Sequence, residues 1–348
     1  MVRVSFLGDI SLNGRYLDFK KNDLNPFYYF EKDLEEKDFV IGNLECLPKG
    51  NFGENMLKRP RLASSIETYD FLKFLNLKVA TLAHNHVYDH LDDGFIKACD
   101  FLKNNDIFYL GASLDSDLAC KPLIVSKSGI NIGLINFVTE DTNIGIPDTT
   151  SISVNLFNLD KVKNSIGLIR DKVDHIVCIL HWGGRVEGGL FPDWEQPKLA
   201  RKILDFGADL IVGHHSHTVQ PFEIYKGKYI FYSLGNFCFS DFIFDNKFYP
   251  LSNRRRITFI LNVEFNKSDY KIDYDIYKNY FLYFRELKFY KYKFYLRSYF
   301  YRIFLRNRFI WKIYFIYLKK IYPFVSFLFR NDLSIYSKFN RLLKYLSK

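Results

Sequence analysis

Gly207-Ala208-Asp209-Leu210-Ile211-Val212-Gly213-His214-His215-Ser216-His217 holds a short apolar run that stops at a glycine and is followed at once by three histidines. A run this short, apolar without alternation, suits a strand buried on both faces, as the parallel strands of α/β proteins are. The pattern recurs upstream and downstream. Residues 2–7 precede Gly8-Asp9, 39–41 precede Gly42-Asn43-Leu44-Glu45, and 79–83 precede His84-Asn85-His86. Residues 176–180 precede His181-Trp182-Gly183-Gly184, 229–234 precede Gly235-Asn236-Phe237, and 130–137 end less sharply at Thr139-Glu140-Asp141. Helix-like segments at 66–76, 93–104, 159–171 and 194–206 lie between the runs, so the chain alternates β and α and predicts an α/β fold. Residues 257–265 and 270–277 are expected to add late strands that close this domain.

In open α/β sheets, ligands gather outside the carboxyl ends of the strands, so polar groups placed there converge on one site. Seven of the eight histidines fall in or beside these strand-end clusters, His175 being the exception. His215-x-His217 can turn two imidazoles toward one metal from an irregular turn. Asp9 and Glu45 offer anionic oxygens, Asn85 a carbonyl oxygen, and His181, His215 and His217 nitrogens. Six mixed ligands exceed what one tetrahedral zinc takes. They suit two adjacent divalent metal ions with open water positions, and Mn, Fe and Zn all fit such a donor set.

The motifs Gly8-Asp9, Asn43-Leu44-Glu45, Asn85-His86-x-x-Asp89, His181-Trp182-Gly183, residues 207–217 and Tyr232-Ser233-Leu234-Gly235-Asn236-Phe237 follow one another over about residues 1–245. In order and spacing this series resembles the CapA family of poly-γ-glutamate capsule biosynthesis, which is related to the calcineurin-like metallophosphoesterases. The resemblance implies a metallophosphoesterase-like sandwich of two mixed β-sheets flanked by helices, with a dinuclear metal site at the strand ends. There are departures. Many metallophosphoesterases begin with Asp-x-His, whereas this chain has Asp9-Ile10-Ser11 and lacks that nitrogen ligand. The second motif has Asn43 followed by Glu45 where the superfamily has Asp, so the bridging carboxylate is assigned to Glu45. His84 stands where the family has Asn, and Ser216 where it has Pro.

His86, beside the ligand Asn85, is the expected proton donor to a leaving group, and Asp89 is expected to hold its ring. The plainer alternatives are a hydrogen-bonded structural histidine and a helix N-cap. His214 is open between support of a ligand, substrate contact and packing. Trp182 and Asn236 could shape a pocket or simply pack and turn. Arg185 and the run Arg254-Arg255-Arg256 could meet an anionic substrate, although such a run is more often a solvated loop. His90 and His175 have no evident partner.

Composition divides the chain near residue 276. Residues 277–348 carry 17 Lys/Arg against 2 Asp/Glu and 26 aromatic residues, while residues 1–276 are net −5. The expected domains are therefore 1–276, catalytic, and 277–348, a basic aromatic-rich helical tail. The tail suits an anionic membrane surface or a helical cap; binding of single-stranded nucleic acid is the weakest of the three readings. The N-terminus lacks the apolar stretch of a signal peptide, and no stretch of about 20 residues is free of charge. Five cysteines without a Cys-x-x-Cys pair read as buried free thiols. A cytoplasmic protein, peripheral at the inner face of the membrane, is expected. Its expected role is in capsule or surface-polymer biosynthesis, as a dinuclear hydrolase of a phosphoester or related polymer linkage. The alternatives are an accessory subunit of a polymer synthesis or export complex and a nucleotide or nucleic-acid phosphoesterase. Expected partners are an anionic polymer or phosphoester substrate and a capsule synthesis complex.

Overall fold

The computed structural model describes residues 1–305 and 307–322. Its first compact unit, Met1–Tyr299, contains two mixed sheets. The strands that build them are β1 (Val2–Ile10), β2 (Phe39–Leu44), β3 (Leu77–Thr81), β4 (Phe108–Leu110), β5 (Leu123–Lys127), β6 (Ile130–Val138) and β7 (His175–His181). They continue with β8 (Leu210–His214), β9 (Phe222–Tyr225), β10 (Lys228–Phe231), β11 (Asn236–Cys238), β12 (Ile257–Phe265), β13 (Tyr270–Asn279) and β14 (Phe284–Glu286). The larger sheet runs β14-β13-β12-β1-β2-β3-β4, with β11 also pairing β1, and the smaller runs β9-β10-β8-β7-β6-β5. In the smaller sheet the inner strands are parallel and both edge pairs antiparallel, whereas the larger sheet is parallel from β1 through β4 and antiparallel from β1 through β14.

Side chains alternate across a strand, and β1 shows the result. Val4 and Phe6 join Ile41 and Val79 against Leu134, Val177, Ile179 and Val212 of the smaller sheet, forming the interior of a sandwich. Leu7 and Ile10 face the other way, with Val40 and Ala80, onto a second core that includes Tyr16, Phe30, Phe95 and Leu102. Each such side chain, fully buried, contributes about 1.5–3 kcal/mol. Helix Leu91–Asn104 presents Phe95, Ala98, Cys99 and Leu102 inward at helical spacing. Helix Leu159–Ile169 is capped by Asn158, whose Oδ1 accepts from Asp160 N at 2.8 Å and Lys161 N at 3.3 Å. Two glycines allow close strand approach at the site. A Cβ on Gly8 would lie 2.1 Å from Gly235 O, and one on Gly213 would lie 2.0 Å from Tyr232 O.

The compositional break at residue 276 falls inside β13, and the compact unit continues to Tyr299. Helix Lys288–Phe300 buries Phe294 against Phe222, Phe259 and Tyr274, with ring centroids 5.8, 5.0 and 5.4 Å away. Ser298 Oγ accepts from Phe222 N at 3.2 Å, and Arg297 donates to Val219 O at 2.8 Å. This part of the basic segment is therefore a cap on the sandwich. The second unit is Phe300–Lys348; within it, Arg308–Ile316 is α-helical, and the expectations for 323–348 lie outside the described residues. All five cysteines are free, four of them buried as expected, but Cys120 is exposed.

Candidate metal centre

The carboxyl ends of strands from both sheets meet at one place. β1 delivers Asp9, β2 delivers Asn43 and, one residue beyond its end, Glu45, and the turn after β3 delivers Asn85 and His86. From the smaller sheet, β7 delivers His181, and β8 delivers His214 and the turn carrying His215 and His217. Both turn histidines have left-handed backbone, φ 86° at His215 and 55° at His217, which is costly for residues with a Cβ. Their turn is held by Gly188 N donating to Ser216 O at 2.8 Å and by Ser216 Oγ donating to Thr218 O at 2.9 Å.

All six expected ligands are buried, and five of them fall into two donor groups, Asp9–Glu45–His217 and Glu45–His181–His215. Glu45 belongs to both. Its Oε1 lies 3.6 Å from His217 Nε2 and 3.9 Å from His181 Nε2. His181 Nε2 is in turn 2.9 Å from Asn85 Oδ1 and 3.0 Å from His215 Nδ1, so the sixth expected ligand reaches the second group. Asn43 takes a different part. Its Oδ1 accepts from Thr81 Oγ1 at 3.2 Å, which turns its amide nitrogen to donate to Asp9 Oδ1 at 3.0 Å.

The fit to a cation is tested by the atoms left over. Both carboxylate oxygens of Glu45, Oδ2 of Asp9 and Nε2 of His215 are buried without a hydrogen-bond partner. Unsatisfied buried acceptors are costly, and cations shared by these groups would satisfy them. Burial pushes the Glu45 carboxyl well above its ordinary range, with the charge of His217 opposing the shift and that of Asp9 adding to it. Burial acts the same way on Asp9, but His214 and His217 beside it outweigh burial and hold Asp9 well below the usual range. Burial lowers His215 to about 4 and His181 well below its ordinary value. His217 is raised to about 9 because Glu45 and Asp9 outweigh its burial. The residues fit two cations.

His86 and Asp89 meet as expected. His86 Nδ1 donates to Asp89 Oδ2 at 2.6 Å, and its Nε2 lies 3.9 Å from Glu45 Oε1. Asp89 is not the helix cap: its Oδ2 also accepts from Leu62 N at 2.6 Å, and the capping position is His90. His214 has Nδ1 3.0 Å from Oδ1 of Asp9, an expected ligand. Ser11, where the nitrogen ligand is lacking, donates to Asn13 Oδ1 at 2.9 Å. Trp182 is a core residue, buried and donating to Tyr232 O at 2.9 Å. Arg185 is held by Asp193 at 2.9 Å. His90 and His175 anchor loops, their Nε2 atoms 3.0 Å from Leu62 O and 2.6 Å from Asn266 O.

Lys58, also at the site, has no signal in the sequence. It is buried, donates to the carbonyl of Asn85 and lies 3.7 Å from Asp89 Oδ1; burial lowers it to about 8, against the pull of Asp89. It comes from an irregular loop with no periodicity, and only the fold brings it beneath Asn85.

Residues 3–241 match the family model described as bacterial capsule synthesis protein PGA_cap. The chain is 32% identical over 246 residues to the PGA biosynthesis protein CapA of Bacillus subtilis (strain 168), covering 69% of this chain and 63% of that protein. It is 29% identical over 247 residues to the capsule biosynthesis protein CapA of Bacillus anthracis, covering 68% and 59% respectively. It thus spans about three fifths of the length of these two relatives. A solved 5′-nucleotidase precursor from Thermus thermophilus aligns with 78% of this chain and 54% of its own, at 17% identity and a TM-score of 0.45.

Proposed function

The chain belongs to the bacterial capsule synthesis protein family, and from that membership we propose that it is a metal-dependent hydrolase of surface-polymer biosynthesis, acting on a phosphoester or related linkage of an anionic polymer. The observation that carries this reading is Glu45, shared between two buried donor groups with both oxygens unpartnered. Asp9, Glu45 and His217 would hold one divalent ion, and Glu45, His181, His215 and Asn85 the other. A pair of divalent ions supplies Lewis acidity toward the oxygens of a phosphoryl or related group. His86 has Nδ1 committed to Asp89 and Nε2 3.9 Å from Glu45 Oε1, so Nε2 is the position from which a proton would reach a leaving oxygen. Asp89 fixes the ring and stabilises its charged form. The test is hydrolysis of bis(p-nitrophenyl) phosphate by the purified chain with Mn, Fe or Zn. Turnover that a chelator removes and added metal restores supports a hydrolase.

A second reading, a non-hydrolytic accessory subunit of a polymer synthesis or export complex, is favoured by Ser11, whose hydroxyl is engaged by Asn13 where many metallophosphoesterases place a nitrogen ligand. Metal bound without turnover on phosphodiesters or γ-glutamyl peptides would select it.

The second unit supports peripheral attachment to an anionic membrane. In helix Arg308–Ile316, Phe309, Ile313 and Ile316 are exposed along one stripe, and Lys312, Lys319 and Lys320 lie in or just beyond the helix. Exposed apolar residues with nearby cations suit the boundary between headgroups and acyl chains. No helix among the described residues is long and apolar enough to cross a membrane.

A further inference from the structure

Arg255 stands beside the cluster of candidate metal ligands, and its backbone is part of the cluster's support. Its N donates to Ser252 O at 3.0 Å, and its O accepts from Asn236 Nδ2 at 3.0 Å. Asn236 Oδ1 in turn accepts from His217 Nδ1 at 2.9 Å, so two hydrogen bonds link Arg255 to a ligand. The guanidinium meets the opposite wall. Its Nη2 donates to Glu187 Oε1 at 2.7 Å and would lie 3.3 Å from a Cβ on Gly188. Glu187 and Gly188 belong to the loop after His181, and Gly188 N is bonded to Ser216 O, between His215 and His217.

The neighbouring Arg256 is occupied elsewhere, over the Phe281 ring at 4.4 Å and 3.8 Å from Asp241. The Arg255–Glu187 pair is the accessible one, with side chains 31% and 43% exposed. An ion pair this open to water is weakly held. Guanidinium is also the group whose planar fork matches two oxygens of one carboxylate or phosphate. We propose that Arg255 receives an anionic oxygen pair of the substrate at the edge of the metal site, and that Glu187 occupies the guanidinium until the substrate displaces it. This rests on the reading that the site takes an anionic polymer or phosphoester, and it assigns the residue that recognises the charge. Glu187 and substrate then compete, so removing each side chain acts in the opposite direction. A merely structural ion pair gives no such split.

The test is calorimetric binding of inorganic phosphate, and separately of a γ-glutamyl dipeptide, to the Mn-loaded full chain, with metal content measured in each variant. Arg255→Ala is expected to weaken anion binding about tenfold, the loss of one charge-assisted contact, and Glu187→Gln to tighten it severalfold. The anion whose affinity moves identifies a phosphate or a carboxylate source. Wild-type protein that binds neither anion, or Arg255→Ala that binds as wild type does, overturns the proposal. So does Glu187→Gln without tighter binding, a result that stands even where Arg255→Ala disturbs Asn236 and sheds metal. Absence of turnover on every substrate would defeat the hydrolase reading while leaving the opposite shifts in binding intact.

Discussion

His86 has Nδ1 committed to Asp89, while its Nε2 lies 3.9 Å from Oε1 of the shared Glu45. Burial lowers its pKa, and the Asp89 charge opposes the shift. His86→Ala is therefore expected to keep its metal content and to lose about 10²–10⁴-fold in turnover, the range for a general acid. Metal analysis and phosphodiester kinetics on the same preparation check this, and a loss of metal would make His86 a ligand instead. The eight residues expected at the site could be read because each lies at or just beyond the end of an apolar run. Lys58 and Glu187 could not. Each sits in an irregular loop, and its partner, Asp89 or Arg255, is 31 or 68 positions away in sequence. No local pattern encodes such a pairing.

The strands bring their site residues to one place only if the other ends are fixed, and Asp209, just before β8, does this. Its Oδ2 accepts from Arg170 at 2.7 Å and from Ile176 N at 2.9 Å, and its Oδ1 lies 3.0 Å from Lys228, tying β8 to β7 and β10. Burial raises its carboxyl, but the Arg170 hydrogen bond and the other donors outweigh this and leave it below the ordinary value. Because its folded pKa is depressed, its contribution is full above the unfolded value and is lost as pH falls through the folded one. Asp209→Asn should thus cost about 1–3 kcal/mol at neutral pH, with the difference from wild type shrinking in acid; urea unfolding at both pH values measures it. Apolar runs revealed most strands of both sheets. The domain boundary was hidden because charge and aromatic content change near residue 276 whereas packing does not: β13 crosses that point, and Phe294 completes the aromatic cluster of Phe222 and Phe259.

At the scale of the whole molecule, the sandwich carries the candidate metal centre and the second unit carries the exposed apolar stripe. Replacing Phe309, Ile313 and Ile316 by Ser in the full chain should weaken binding to phosphatidylserine vesicles about tenfold or more, and salt should weaken the wild-type protein's binding as well. Equal affinity for neutral phosphatidylcholine vesicles would contradict an electrostatic attachment. Independent of any membrane is the central claim, that Glu45 joins two cation sites built from the ends of two sheets. Elemental analysis of wild-type protein and of Glu45→Gln, each verified as folded by circular dichroism, tests it most directly. The expected result is about two divalent ions per chain in the wild type and less than about one in the variant, since both sites lose their shared carboxylate. Full occupancy in Glu45→Gln, or a folded wild-type chain that takes up no divalent metal, would contradict it.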